Sequence, residues 1–155
     1  MKRTPLKRGT KQLKRTPFKR QAPKPKVKKK RTKLPSIKTV RNKCDAQLTP
    51  IIKLMYPRSI LSGAPTEVAH HHVHKSKSLA LRYYIPNLIP LTHAEHQALH
   101  HNESYWASKI VRIRGVKWFD DLERKKNQRV KADVHWFLAN LAQLQSMHIE
   151  LLAQQ

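Results

Sequence analysis

The chain has one cysteine in 155 residues, Cys44. A single thiol forms no internal disulfide and cannot build a four-cysteine zinc knuckle. A reducing, cytoplasmic setting is the simplest expectation. Acidic residues are scarce, 9 against 33 lysines and arginines. The shortage is uneven: residues 1–43 hold 19 basic residues and no acidic one, whereas the rest hold 14 basic against 9 acidic. Long apolar runs are also missing. No stretch approaches the ~20 apolar residues needed to cross a bilayer, and the N-terminus lacks the apolar segment of a secretory signal. Neither a membrane partner nor a secreted, disulfide-stapled scaffold is expected.

The basic excess sits in a low-complexity segment. Lys2 to Arg8 (K-R-T-P-L-K-R) recurs as Lys14 to Arg20 (K-R-T-P-F-K-R), twelve residues on. Proline and like charge oppose order, and there is little to bury. Residues 1–38 are therefore expected to be a disordered, Lys/Arg/Pro-rich tail that binds nucleic acid, with Lys28, Lys29, Lys30 and Arg31 among its phosphate contacts. Each cation that neutralises a phosphate releases a counterion, so such binding weakens steeply with salt. Residues 39–155 suit one modest domain.

Histidine is abundant, and it is gathered. Eight of the ten histidines lie between Glu67 and His101. Neutral imidazole is the commonest metal ligand and the side chain best placed for proton transfer near neutral pH. Residues 68–73 (V-A-H-H-H-V) read as a strand, and Asn87 to Leu91 (N-L-I-P-L) as a second whose Pro90 suits an edge. Thr92 and Glu95 form a capping box, which predicts a helix from His93. On it His96 and His100 are four apart and share a face. The bland alternative is a polar stripe on that helix and a polar face on the strand. His74 and His101 read as spectators, and His135 and His148 as structural residues of the last helix.

The order of strand, loop, strand and histidine-bearing helix resembles the HNH endonuclease family and its ββα-metal fold. His71 and His72 are adjacent. Fourteen residues separate His72 from Asn87, eight separate Asn87 from His96, and three separate His96 from His100. That spacing is similar to the DNA-degrading colicin type, and N-L-I-P-L before a helical histidine pair looks like phage and mobile-element members. The resemblance covers about 35 residues. It implies that His71, His96 and His100 are metal ligands, that His72 is the general base, and that Asn87 holds the loop so that the base is aimed. It also implies one divalent ion, zinc, magnesium, manganese or nickel, and products with a 5′-phosphate and a 3′-hydroxyl. Side chains on a regular strand alternate faces, so His70 and His72 would share one. His71 and His72 serve one site only if the strand is bulged or strongly twisted; the spacing to Asn87, His96 and His100 favours them nonetheless. Family members often carry paired cysteines for a second, structural zinc; Arg58 to Gly63 has the look of that knuckle with serines in their place.

Around this core of about residues 67–103 the chain reads as helical. A helix is expected over about Thr39 to Tyr56, interrupted or restarted at Pro50 and ended by Pro57. Arg58 to Pro65 reads as a loop or small hairpin. Lys75, Lys77 and Arg82, between the strands, are candidate phosphate contacts or a solvated loop, and Tyr83 and Tyr84 anchor that loop. The C-terminal helical region, about 104–154, should hold Tyr105 to Arg114 (stopped by Gly115), Trp118 to Lys126, and Arg129 to Ala153. The last carries a heptad seam from Val130 to Leu151. Trp136 and Leu138 widen its apolar face and favour packing within the chain; a homodimer through the same helix is the alternative.

The expected fold class is α+β, a small ββα-metal core flanked by helices behind a basic tail. The expected function is metal-dependent DNA cleavage with low sequence specificity, in phage DNA processing or recombination, in the host cytoplasm if phage-encoded. DNA is the expected partner, and RNA stays open. The competing expectation is a non-enzymatic, basic nucleic-acid-binding protein with a structural or vestigial metal site.

Overall fold

Ser36 starts the first helix. Its hydroxyl accepts the Thr39 backbone N–H, and α1 runs Ile37–Met55. Val40, Cys44, Leu48, Ile51 and Ile52 recur at helical spacing and are buried. The computed structural model describes residues 34–155, so the expectations for residues 1–33 of the tail and for Lys28, Lys29, Lys30 and Arg31 lie outside the described residues. Ile37 and Lys38, expected in the tail, belong to α1, because the Ser36 cap starts the helix ahead of Thr39. Pro50 sits inside α1 and does not divide it. Proline removes the bond to the carbonyl four residues back and its ring crowds that carbonyl; that residue, Ala46, is exposed, where the carbonyl can tilt outward and water can serve it.

The chain is α+β. After α1 come β1 (Val68–His71), a 3-10 turn (Ile85–Asn87), β2 (Leu88–Leu91), α2 (His93–His101), α3 (Glu103–Arg114), α4 (Val116–Lys126) and α5 (Val134–Ala153). The strands form one antiparallel pair with His70 opposite Ile89 and His71 opposite Leu88. β1 is shorter than residues 68–73, although the His72 N–H still reaches the Asn87 carbonyl. An isolated two-stranded pair is marginal in water, so its stability must come from the helices on both faces. Leu88 and Ala69 belong to the core built by α1 and α5. Val68, Ile89 and Leu91 belong to a second core with Leu99 of α2 and Ile110 of α3. Strand alternation thus assigns the faces.

The flanking helices end on local signals. Thr92 and Glu95 make the full capping box at α2. Asn102 caps α3 by accepting the Tyr105 N–H, which starts that helix two residues before Tyr105. Gly115 closes α3 at φ +90°, a conformation other residues rarely adopt. Asp133 accepts the Trp136 N–H and starts α5 at Val134 rather than at Arg129. The α5 seam is used inside the chain: Phe137 and Leu144, with Leu141 and Leu151, pack on α1, and His148 meets Gln47 at 3.1 Å. No helix among the described residues is long and apolar enough to cross a membrane.

Candidate metal centre

Three histidines converge between β1 and α2. One ring nitrogen each from His70, His96 and His100 lies within 4.8 Å of the others. The His96 and His100 Nε2 atoms are 3.2 Å apart. Nitrogens bound at 2.0–2.1 Å to one tetrahedral ion sit roughly 3.3 Å apart, so this pair already has the bite of a shared ligand set. The ring centroid of His70 lies 5.1 Å from that of His96 and 6.0 Å from that of His100. Two forces create the cluster. The capping box fixes the start of α2, and four-residue spacing stacks His96 under His100. Val68 and His70 share the face of β1 that meets α2.

The donors suit a cation. Burial, then the neighbouring His96, pushes the His70 pKa down to about 3. Burial and then His100 lower that of His96. Rings that resist protonation keep their lone pairs free for an ion.

The trio borders a cleft of about 320 Å³ whose far wall is α1, with Asp45, Leu48 and Thr49 facing His70, His71 and Lys75. Consecutive residues from both faces of β1 line it, so the cleft follows the strand's unpaired edge. A smaller recess of about 140 Å³ adjoins it, bordered by His70, His100, Lys77 and Glu103.

His71 takes a different place from the one its spacing suggests. It faces α1, and its Nε2 lies 2.9 Å from the Arg82 carbonyl oxygen. The structure gathers His70, not His71, with His96 and His100. The reason is the period of two: β1 shows no bulge to turn adjacent residues onto one face. A carbonyl only accepts, so His71 carries its proton on Nε2 and leaves Nδ1 bare. Burial lowers the His71 pKa, and the carbonyl bond opposes it. His72 packs its ring 4.9 Å from that of Trp118 and 6.2 Å from that of Phe119. It borders neither recess, and burial lowers its pKa.

Asn87 is fully buried. Its Oδ1 accepts the Val73 N–H at 2.8 Å, and its Nδ2 donates to the Val73 and Leu81 carbonyls. The side chain therefore ties both ends of the 74–84 loop to the start of β2. Other elements clamp the same loop. Tyr84 donates to Asp121 and Ser78 to the Lys126 carbonyl, while Trp118 Nε1 donates to the Pro86 carbonyl in the 3-10 turn that follows. Tyr83 packs between Trp136 and Phe137.

Arg82 does not stand free for a phosphate. It is 8 % exposed, and its guanidinium makes a two-pronged bond to Asp45 at 2.6 and 3.1 Å. A buried cation needs such a partner, and Asp45 on α1 supplies it. Lys75 lies 3.9 Å from the same carboxylate and is 44 % exposed; Lys77 is exposed. His74 and His101 are also exposed.

Two residues that sequence reasoning did not single out matter here. Asp45 anchors Arg82, whose carbonyl orients His71. Ser59, buried, donates to Glu95 and so braces the α2 capping box. The serine in the knuckle-like stretch was the available signal for the second. Nothing local marks Asp45, which meets a residue 37 positions away. Comparison of the chain with protein-family models, curated proteins and solved structures finds no match in any of the three.

Proposed function

We propose that the chain is a divalent-metal-dependent endonuclease whose core, β1, β2 and α2, is a ββα-metal unit. The observation that carries the reading is the approach of three imidazole nitrogens within 4.8 Å beside an open cleft. His70, His96 and His100 would hold the ion. Three protein ligands leave at least one position open, the catalytic rather than the structural arrangement. Bound there, a divalent cation would supply Lewis-acid stabilisation of the charge that develops on the phosphate and the leaving oxygen.

His71 carries the general-base role in this reading. Its Nε2 proton is committed to the Arg82 carbonyl, so Nδ1 is the atom that accepts a proton from water. It lines the same cleft as the trio. Relative to the family-like assignment, the pair of adjacent histidines moves back one residue: His70 binds the ion and His71 takes the proton, the two pointing to opposite faces of β1 and sharing the cleft along its edge. Asn87 positions both by fixing the loop behind them. Lys75 and Lys77 hold the phosphates beside the cut, while Arg82 keeps a structural task. No described element presents side chains arranged to read base edges, which fits cleavage of DNA with low sequence specificity. The resemblance to phage and mobile-element HNH domains suggests a role in DNA processing or recombination.

The test is cleavage of supercoiled plasmid with Mg²⁺, Mn²⁺, Ni²⁺ or Zn²⁺. His71→Ala is expected to abolish cutting and His72→Ala to leave it measurable. The reverse result would return the base to His72. Absence of cutting by the unaltered chain with all four ions would leave a nucleic-acid-binding protein, not an enzyme.

A further inference from the structure

Among the described residues, one stripe of α3 belongs to neither hydrophobic core and lies outside the histidine trio. Ile110 and Trp106 turn one side of α3 into the second core. About a third of a turn round from them lie Tyr105, Lys109 and Arg112, at positions i, i+4 and i+7, which fall on one line of a helix. Tyr105 is 55 % exposed, its ring edge-on to Trp106 at 5.1 Å. The Lys109 ammonium rests 5.1 Å from the centre of the Trp106 ring, which holds a flexible cation near the stripe. Arg112 is exposed.

Most acids on the surrounding elements are engaged elsewhere. Glu103, the one acid on α3, lies half a turn round from Tyr105 and borders the recess beside His70 and His100. Glu95 of α2 is held by Ser59 and Thr92. On α4, Asp121 pairs with Arg124 and Tyr84, and Glu123 with Lys126; Asp120 is the exposed acid there.

The geometry points to this stripe as a docking track for a single nucleic-acid strand entering or leaving the metal centre. The inference rests on the nucleic-acid substrate of the proposed nuclease, not on cleavage. α3 follows α2 after one residue and the recess next to His100 lies on its Glu103 side, so a strand on the stripe reaches the recess by crossing the N-terminal end of α3. Along the axis, Lys109 and Arg112 lie about 6 and 10.5 Å beyond Tyr105 at ~1.5 Å per residue. An exposed aromatic ring followed by two cations matches what an unpaired strand offers, a base face and then successive phosphates. A duplex hides its base faces in the stack, so the ring has no use for one.

The experiment uses the full chain in EDTA, with a fluorescein-labelled oligothymidylate and a duplex of the same length. Anisotropy is read across a range of salt concentrations. Replacing both cations, Lys109→Gln with Arg112→Gln, is expected to lower the single-strand salt slope by about 1.4, two phosphates at ~0.7 each. Tyr105→Ala is expected to weaken single-strand binding roughly fivefold or more, with the slope unchanged and duplex binding within twofold. An unchanged slope in the double variant, or an equal loss on duplex and single strand for Tyr105→Ala, overturns the inference. Plasmid cutting by the unaltered chain separates the two readings. Cutting with an unchanged slope sinks the track alone; a lowered slope without cutting sinks the nuclease alone.

Discussion

The α1–α5 pair and the β1–β2–α2 unit spend burial differently. Between the two long helices the buried side chains are apolar: Val40, Leu48, Ile51, Ile52, Phe137 and Leu144, with Cys44 placing its thiol 3.4 Å from the Phe137 carbonyl. Between β1 and α2, beside the apolar contacts of Val68 and Leu99 in the second core, three imidazoles also meet. They gain little from leaving water and repel one another if protonated. One region stabilises the chain, and the other gathers groups that stabilise it less and that the proposed reading assigns to a cation. Sites of this kind are expected to break the local rules that the rest of a chain obeys.

Four results would sharpen or break that contrast. Leu144→Ala, 3 % exposed in the helical core, should cost about 2–5 kcal/mol in urea unfolding, whereas His70→Ala without metal should change stability by about 1 kcal/mol or less. Similar losses would erase the distinction. Zn²⁺ at a hundred times its Kd should add about 2.7 kcal/mol to the unfolding free energy, and His96→Ala should remove most of that gain. Next comes Asn87→Ala, which orphans the buried polar groups of Val73 and Leu81 and should cost about 1–3 kcal/mol for each, with the loss seen in both stability and cutting. An Asn87→Ala variant as stable as the unaltered chain would mean that the contacts of the loop with α1, α4 and α5 hold it without the Asn87 amide.

The smallest effect belongs to Glu95. Burial works against its ionisation, but hydrogen bonds led by that from Ser59 outweigh it and hold the carboxyl below its ordinary value of 4.5. A carboxyl with a depressed folded pKa adds stability that is complete above the unfolded pKa. That contribution fades as pH falls from 4.5 through the folded value. Glu95→Gln should therefore unfold slightly more easily at pH 7, and the gap should close below pH 4.5. A gap that widens on acidification would contradict the sign.

Much of the site's scaffold was legible in the sequence. Thr92 and Glu95 announced the start of α2, Gly115 the end of α3, and the four-residue step put His96 and His100 together. The strand register was harder. Val68 and Val73 are five apart, an odd number, so on a regular strand they point to opposite faces and cannot both mark the buried side. The three histidines between them add no apolar preference. Only the second core, reached by Val68, selects His70 for the α2 face. Arg82 was hidden for another reason: its fate depends on a carboxylate that folding brings from α1. Pro50 looked like a break because the sequence does not say which side of the helix loses the bond. Val130 fits the heptad seam, yet the Asp133 cap sets the start of α5 later.

The central claim is that one cation is held by His70, His96 and His100, with His71 beside it but unligated. Isothermal titration of Zn²⁺ into the unaltered chain, His70→Ala and His71→Ala tests it most directly. The account predicts one ion per chain, at least tenfold weaker binding for His70→Ala, and an affinity within about twofold for His71→Ala. Loss of binding in His71→Ala with His70→Ala unaffected would contradict it.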